Sequence, residues 1–268
     1  MTRFVLVISF LLLFSQSIVF AEKTTIDFNV QENEVVFSFL PIENGESAII
    51  HLPNNRVFLI NAGTTKNEKE INQFLQQFQI KQVDGIILTA MIDARMLQRL
   101  QTKYDIKQLI LLTPLAIDMN KFFPVQTSLV KGEKLELAEG IALDVKYDGN
   151  GVNFTISLHN NELFWIENIN HQIETEHLSQ ELNNISIIKL PIWSKEYFVS
   201  EKFIHHLDPQ TAIIGNNGES KKNEDLLEVF YETWVDVYYT KQNGLISIKF
   251  DKDNYEVLTF PKKEFISP

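Results

Sequence analysis

Residues 84–97 have the arrangement in which α/β enzymes often hold catalytic groups. Their sequence predicts a buried strand at residues 85–89, then a loop, then a segment with helical spacing. A rigid strand end followed by an exposed loop is a common place for chemistry. The positions after the strand, however, carry side chains that are neither ordinary metal ligands nor proton shuttles. These residues are Ala90, Ile92, Ala94 and Arg95. The segment therefore predicts the scaffold of an active site from which the reactive groups are missing.

The rest of the chain offers no stronger catalytic motif. It contains no cysteine, which excludes disulfides, Cys-ligated zinc and thiol catalysis. It also contains no Gly-x-Ser-x-Gly elbow, no Walker loop and no Gly-rich dinucleotide fingerprint. We therefore assign no catalytic residue, no metal ligand and no cofactor from the sequence.

Histidines are the remaining candidate ligands. The chain has six, at His51, His159, His171, His177, His205 and His206. The adjacent residues His205 and His206 face different directions on a helix, which favours a surface pair over a metal site. The pattern around His171 and His177, which flank Glu174 and Glu176, predicts the solvated face of a helix.

Size and charge bound the class of protein. The chain has 268 residues, of which 44% are hydrophobic, so it can build a substantial core. Its net charge of −11 argues against a general nucleic-acid-binding protein, because phosphate contacts need clustered Lys and Arg.

The N-terminus has the features of an export signal. Arg3 precedes an apolar run at residues 4–14, and Val19, Phe20 and Ala21 form a small-residue cleavage pattern. The apolar run is short for a bilayer span of about 20 residues. We therefore expect a signal peptide at residues 1–21 and a secreted or cell-surface protein. An uncleaved anchor is the alternative, and only in that case do we expect membrane contact.

Hydrophobic periodicity predicts an α/β (α+β) fold. After an extended lead-in at residues 22–34, the pattern is β-rich, then α/β, then β-rich and α/β again. This order predicts two similar halves, each a sheet with helices on one face, packed as a four-layered αβ/βα sandwich. We expect one domain at residues 35–260, followed by a tail at residues 261–268.

Several motifs resemble the metallo-β-lactamase fold, in the form found at the C-terminal end of the competence DNA-uptake protein ComEC. That family's Phe-Leu-Asp-Val-Gly-Gln-Gly-Asp is matched by Phe-Leu-Pro-Ile-Glu-Asn-Gly-Glu at residues 39–46, and its Leu-Ile-Asp-Ala-Gly by Leu-Ile-Asn-Ala-Gly at residues 59–63. Its Leu-Thr-His-x-His-x-Asp-His aligns with residues 88–95. Further matches lie at residues 165–168, 189–195 and 240–246. The resemblance covers residues 35–257 and implies the four-layered sandwich and a two-metal hydrolase site.

The same alignment implies that the metal ligands are lost. Zinc in this fold needs converging imidazoles and carboxylates. The aligned residues are Ala90 and Ile92 for the first-site histidines, Ala94 and Arg95 for the second-site Asp and His, Asn168 for the bridging Asp, Ile192 or Trp193 for the late His, and Asn61 for an Asp that orients a ligand. Asp93 remains, one position out of register. Without a metal, the family's hydrolysis has no activated water.

Arg95 offers one candidate use for the former metal cavity. Its guanidinium could hold an anionic group, with Trp193 and Tyr197 as aromatic walls. The candidate pocket consists of Arg95, Asp93, Asn61, Asn168, Trp193 and Tyr197. The alternative is that Arg95 pairs with Asp93 or Glu167, and that apolar side chains fill the cavity as core.

Three functional hypotheses follow. The first is a non-catalytic binding or interaction module, with an envelope protein or a small anionic ligand as partner. The second is a hydrolase that uses a displaced metal, for which Asp93, His171 and His177 are the residues to mutate. The third is an accessory protein of a DNA-uptake apparatus.

Overall fold

The computed structural model describes residues 25–43, 45–89, 93–112, 119–149, 151–182, 184–191, 199–215 and 224–262. The strands in these residues are Val35–Phe39 (β1), Ala48–Leu52 (β2), Arg56–Ile60 (β3), Gly85–Leu88 (β4), Leu109–Leu111 (β5), Gln126–Ser128 (β6), Lys134–Ala138 (β7), Ile141–Tyr147 (β8), Asn153–Leu158 (β9), Asn161–Trp165 (β10), Ile185–Leu190 (β11), Thr211–Ile214 (β12), Asp236–Tyr239 (β13), Leu245–Phe250 (β14) and Tyr255–Phe260 (β15). The helices are Glu68–Gln77 (α1), Ala94–Tyr104 (α2), His171–Leu178 (α3), Glu201–Leu207 (α4), Glu224–Glu232 (α5) and Thr240–Asn243 (α6).

Two mixed sheets contain these strands. The first has the order β15-β14-β1-β2-β3-β4-β5-β6, and the second has the order β13-β12-β11-β10-β9-β8-β7. In the first sheet β3 to β6 run parallel, and in the second β10 to β13 run parallel. Parallel strands have their carboxyl ends on the same side of the sheet. The residues that follow β3 and β4 therefore lie together at one end of the first sheet, and those that follow β10 to β12 lie together at one end of the second.

Three apolar clusters separate the layers. The central cluster includes Phe37 and Phe154, one from each sheet, and fills the space between the sheets. A second cluster packs α1 and α2 on the outer face of the first sheet, where Phe74 and Leu97 are buried. The third packs α3, α4 and α5 on the outer face of the second sheet. The predicted four-layered αβ/βα sandwich with two similar halves is therefore confirmed.

Local spacing explains the helices that cover the sheets. Helix α1 buries Ile71, Phe74 and Leu75, which follow the i, i+3, i+4 pattern of one helix face. Burial of each such side chain contributes about 1.5–3 kcal/mol. The apolar patterns at residues 56–60, 141–147, 185–190 and 245–250 each predict a strand, and these bounds are identical to those of β3, β8, β11 and β14.

The sequence interpretation also missed features. It did not include the polar strands β6 and β7 or the last strand β15. The sequence pattern also predicts strands at residues 235–239 and 245–250 that close one sheet. This prediction is wrong, because β13 is an edge strand of the second sheet, whereas β14 pairs with β1 in the first. The chain therefore returns to its first sheet after completing the second.

The described part of the lead-in packs against the first half. The backbone N–H of Ile26 donates to the carbonyl oxygen of Gln77 at 3.0 Å, and Phe28 contacts the rings of His51 and Phe78. In the portion of the chain that the structure describes, no helix is long and apolar enough to cross a membrane.

Candidate functional site

The site lies at the carboxyl ends of the parallel strands, where the corresponding ends of the two sheets meet. Asn61 follows β3, Thr89 follows β4, Glu167 follows β10, and Lys189 lies near the end of β11. Glu46 lies on the segment that leads into β2. Polar side chains from both sheets therefore face one another at this end.

Asn61 and Thr89 hold the first sheet's edge. The Asn61 Nδ2 donates to Thr89 Oγ1 at 2.8 Å, and the Thr89 backbone N–H donates to Asn61 Oδ1 at 3.0 Å. Asn61 adopts φ +54°, a left-handed conformation that asparagine tolerates better than most residues. An amide is suited to this position because it donates and accepts at once, whereas a carboxylate only accepts.

Glu167 joins the two sheets. Its Oε2 accepts hydrogen bonds from Thr89 Oγ1 at 3.1 Å and from Trp165 Nε1 at 2.9 Å, and it lies 3.7 Å from Lys189 Nζ. Three different side chains therefore engage this one carboxylate oxygen.

Lys189 is the cation at the centre of the site. Its side chain is only 3% exposed, and its ammonium group forms an ion pair with Glu46. The same ammonium lies 4.4 Å from the centroid of the Trp165 ring. A buried ammonium group is costly unless it is paired and hydrogen-bonded, so these contacts make its burial possible. Glu46 and Lys189 both lie in segments that the motif alignment matched, at residues 39–46 and 189–195.

The loop contacts around Glu46 fix its position. The Gly63 N–H donates to the Glu46 carbonyl oxygen at 3.3 Å, and Ser47 Oγ donates to the Asn61 carbonyl oxygen at 3.1 Å. A Cβ on Gly45 would come within 3.2 Å of the Gly63 backbone, so a larger residue there would require the neighbouring loop to shift by a few tenths of an ångström.

Burial raises the pKa of the Glu46 carboxyl to about 7. Lys189 opposes this shift, but its single positive charge is shared with Glu167, and the second carboxylate raises the Glu46 pKa further. The Oε1 atom of Glu46 has no hydrogen-bond partner among the described residues. Glu46 also lines a cavity of about 20 Å³, which is room for about one water molecule.

Asn168, the residue aligned with the bridging Asp, is held through the backbone by Asn153. The Asn153 Oδ1 accepts from the N–H groups of Glu167 (2.9 Å) and Asn168 (3.1 Å), and its Nδ2 donates to the Asn168 carbonyl oxygen at 2.8 Å. The same Nδ2 lies 2.8 Å from His177 Nε2. Asn153 was missed from the sequence because an asparagine in a strand carries no motif.

His177 and Glu174 are buried, so the predicted solvated face of this helix is wrong for both. His177 is fully buried between Asn153 and Gln180, and burial lowers its pKa. Glu174 accepts hydrogen bonds from the backbone and hydroxyl of Ser200, which begins α4. His171, His205 and His206 are exposed, as expected for surface residues.

Asp93 is the N-cap of helix α2, and Arg95 lies in its first turn. The Asp93 carboxylate accepts from the backbone N–H groups of Thr65 at 2.9 Å, Arg95 at 3.1 Å and Met96 at 3.3 Å. The Thr65 hydrogen bond, with smaller contributions from the others, lowers the pKa of Asp93. Asp93 therefore contacts Arg95 through its backbone, and the Arg95 side chain is exposed. Ala90, Ile92, Ile192, Trp193 and Tyr197 lie outside the described residues.

The described residues at this end do not fit the metal centre that the resemblance implies. Glu46 and Glu167 face an ammonium group, and Asp93 is saturated by backbone donors. Across the described ranges, no group of three or more His, Asp or Glu residues is placed to hold a metal ion. The displaced-metal set of Asp93, His171 and His177 is therefore not brought together.

Solved structures share this fold. The metallo-β-lactamase-fold protein YhfI from Bacillus subtilis matches with TM-score 0.53 and 7% identity over 80% of this chain and 99% of its own. Human tRNase Z, short form, matches with TM-score 0.51 and 8% identity over 77% of this chain and 95% of its own. A Parabacteroides distasonis protein, provisionally assigned as a metal-dependent hydrolase, matches with TM-score 0.52 and 12% identity over 76% of this chain and 93% of its own.

At the level of sequence, no protein-family model and no curated protein matches this chain. At such low identity, the structural similarity establishes the fold alone. The chain has the metallo-β-lactamase fold, and its chemistry must be argued from its own residues.

Proposed function

We propose that this chain is an exported, ComEC-like protein of the metallo-β-lactamase fold that has lost the metal centre and acts as a non-catalytic binding or interaction module. Its partner would be an envelope protein or a small anionic ligand. The proposal combines the export signal of residues 1–21 with the composition of the site at the carboxyl ends of the strands.

One observation carries the proposal. The Lys189 ammonium group lies between the carboxylates of Glu46 and Glu167, and Glu167 directly precedes Asn168, which aligns with the bridging metal ligand. A cation of the protein's own thus pairs with the carboxylates at this end of the strands. The asparagines at positions 61 and 168 fit the same interpretation, because a neutral amide is a weak replacement for a carboxylate ligand.

The decisive experiment is the metal content of the protein purified from Glu22, measured together with its melting temperature in zinc, manganese or chelator. A metal that binds only the folded state raises stability by mass action. We expect substoichiometric metal and an unchanged melting temperature. Stoichiometric metal with a melting shift would overturn the proposal.

A pair of variants locates any metal that is found. Glu167→Gln removes a carboxylate of this site, whereas Glu139→Gln removes an exposed carboxylate far from it in sequence. Metal that is lost in Glu167→Gln and retained in Glu139→Gln would place a working centre at the strand ends. Metal retained in both would point to adventitious binding at another place.

A second candidate function is hydrolysis, favoured by the state of Glu46. Its pKa near 7 and its unpartnered oxygen beside a water-sized cavity are features of a general base. A panel of ester and phosphodiester substrates would test it, with Glu46→Gln as the inactive variant. Turnover that survives Glu46→Gln would exclude this residue as the base.

The anionic-ligand proposal depends on Arg95. Its exposed guanidinium, at the start of α2, is free of the side-chain carboxylate of Asp93. Arg95→Ala should weaken binding of the anion, while Arg99→Ala, one turn later, should leave it unchanged. Equal binding by both variants would contradict the pocket. The DNA-uptake alternative predicts salt-dependent DNA binding, which the net charge of −11 disfavours.

A further inference from the structure

A second, larger cavity lies at the opposite end of the sandwich. It has a volume of about 430 Å³, within the usual range for small-molecule sites. Its lining comes from β10, β12 and β13 near their amino ends, from β15 and from the turn before β15. The polar residues of that lining include Asn161, Thr211, Asp236, Tyr238, Asp253 and Tyr255.

The lining presents hydrogen-bond donors and acceptors that are already positioned. Asn161 is 8% exposed, and its Oδ1 accepts from Ser186 Oγ at 3.0 Å, whereas its Nδ2 has no partner among the described residues. The hydroxyl groups of Thr211 and Tyr255 are 2.9 Å apart and fix each other. A buried amide N–H without a partner is costly, so an acceptor that reached this donor would be bound favourably.

The hydroxyls of Tyr238 and Tyr255 stay protonated at neutral pH. Burial, followed by the negative charge of Asp236, raises the pKa of Tyr238. Burial also raises the pKa of Tyr255. Both phenols can therefore donate as well as accept, and the carboxylates of Asp236 and Asp253 are acceptors only.

An exposed aromatic residue lies two positions before a lining residue in the chain. Trp234 is 90% exposed and precedes Asp236 by two residues, and Tyr231, at the end of α5, is 85% exposed. Trp234 adopts φ +57°, which is a genuine outlier for so bulky a side chain. This conformation closes the C-terminal cap of α5, in which the Val235 N–H donates to the Phe230 carbonyl oxygen at 2.9 Å and the Trp234 N–H to the Tyr231 carbonyl oxygen at 3.4 Å.

The combination selects one class of ligand. A sugar ring presents apolar C–H faces that stack on aromatic rings, and a rim of hydroxyls that both donate and accept hydrogen bonds. The lining supplies amides, phenols, a hydroxyl and carboxylates for that rim, and Trp234 supplies a flat apolar surface. Lys and Arg are absent from the lining residues, while two aspartates are present, so an anionic ligand would be repelled.

We propose that this end of the molecule binds a neutral oligosaccharide, with Trp234 stacking on one ring and Asn161, Asp236 and Tyr238 binding its hydroxyls. The inference goes beyond the proposed function and does not depend on it, because the two sites lie at opposite ends of the strands. An active metal centre at one end would leave the oligosaccharide site at the other unaffected.

Direct titration tests the proposal. The purified protein is titrated calorimetrically with maltotriose, cellotriose and tri-N-acetylchitotriose, and with trigalacturonate as an acidic comparison. We expect saturable binding of at least one neutral trisaccharide and weaker binding of trigalacturonate. Trp234→Ala and Asp236→Asn should each weaken the neutral interaction about tenfold or more, which corresponds to the loss of one good contact.

Matched controls separate binding from folding. Val125→Ala removes another exposed apolar side chain, and Glu139→Gln another exposed carboxylate, and both should leave binding unchanged. Trp234→Gly relieves the left-handed backbone, so it should lose binding while its melting temperature stays equal or rises. The proposal is overturned if no neutral trisaccharide gives saturable binding, if binding is indifferent to Trp234 and Asp236, or if trigalacturonate binds more tightly.

Discussion

The two ends of the sandwich use polar side chains in opposite ways. At the carboxyl ends of the parallel strands, the buried Lys189 ammonium group is paired with Glu46 and Glu167, and of these groups one oxygen, Glu46 Oε1, has no partner among the described residues. At the amino ends, Asp236 and the Trp234 ring are exposed to solvent, and the Asn161 Nδ2 atom has no hydrogen-bond partner among the described residues. Groups that pair internally stabilise the fold, whereas exposed groups are available to a ligand. The comparison predicts large stability effects at the first end and small ones at the second.

The largest effect should come from Lys189→Met. This change leaves two carboxylates without their cation, and breaking a buried ion pair costs about 3–5 kcal/mol. Urea unfolding at pH 7 measures the loss. Lys107→Met is the matched control, because Lys107 pairs with Asp84 at the surface with 52% of its side chain exposed, and such a pair contributes at most about 1 kcal/mol. Equal losses in the two variants would mean that the pairing of Lys189 with Glu46 and Glu167 does not stabilise the fold.

The second-largest effect should be a pH dependence of the free energy of unfolding that comes from Glu46. Its pKa is raised in the folded protein, from 4.5 to about 7, so the folded state binds more protons than the unfolded state between these values. Stability contributed by this group is therefore lost as the pH rises through that window, by about 3 kcal/mol.

Two histidines oppose that trend and must be separated from it. Burial lowers the pKa of His51 to about 4, and it also lowers that of His177, so these groups add stability as the pH rises. The measurement is thus the difference between the parent and Glu46→Gln in denaturant unfolding at several pH values. Parallel curves for the two proteins would refute the raised pKa.

At the amino ends of the strands, Tyr255→Phe should lower the stability of the fold moderately. It removes the hydroxyl that lies 2.9 Å from the buried Thr211 hydroxyl, and the lost hydrogen bond is worth about 1 kcal/mol. Thermal unfolding is a sufficient measurement. A loss as large as that of Lys189→Met would show that this end, too, is part of the stabilising core.

The smallest effect on stability should come from Trp234→Gly, and it should be a stabilisation. The left-handed backbone costs a bulky residue about 1–2 kcal/mol, and glycine gives back about 0.5–1 kcal/mol through its more flexible unfolded chain. We expect a net stabilisation of no more than about 1 kcal/mol in chemical denaturation. A clear destabilisation would indicate that the exposed ring packs against the fold.

Much of the fold could be predicted because its elements follow simple periodicity. Arg56–Ile60 and Ile185–Leu190 are nearly continuous apolar strands, and α1 has a single apolar face. Gln126–Ser128 was missed because a short polar edge strand has no apolar signal of its own. Tyr255–Phe260 was missed because only part of it is buried.

The site was predicted less well because it depends on contacts between distant segments. The motif alignment pointed to Asn61 and Asn168, yet nothing local indicates that Lys189 pairs with Glu46, 143 residues away. Asp93 could have been recognised as a helix cap, since an Asp before a helical pattern is a standard N-cap signal. The burial of His177 and Asn153 depends on α3 packing onto the second sheet, which spacing does not show.

The position of β1 has a consequence for how the chain is assembled. This strand pairs with β2 on one side and with β14 on the other, and the hydroxyls of Ser38 and Ser247 meet at 2.9 Å across that second pairing. Contacts of such long sequence separation slow folding, because a large loop must close before they form. Until the last hairpin has docked, one side of β1 remains an unpaired edge that a second molecule could join. The late steps of folding are therefore the period in which this protein is most open to domain swapping and aggregation.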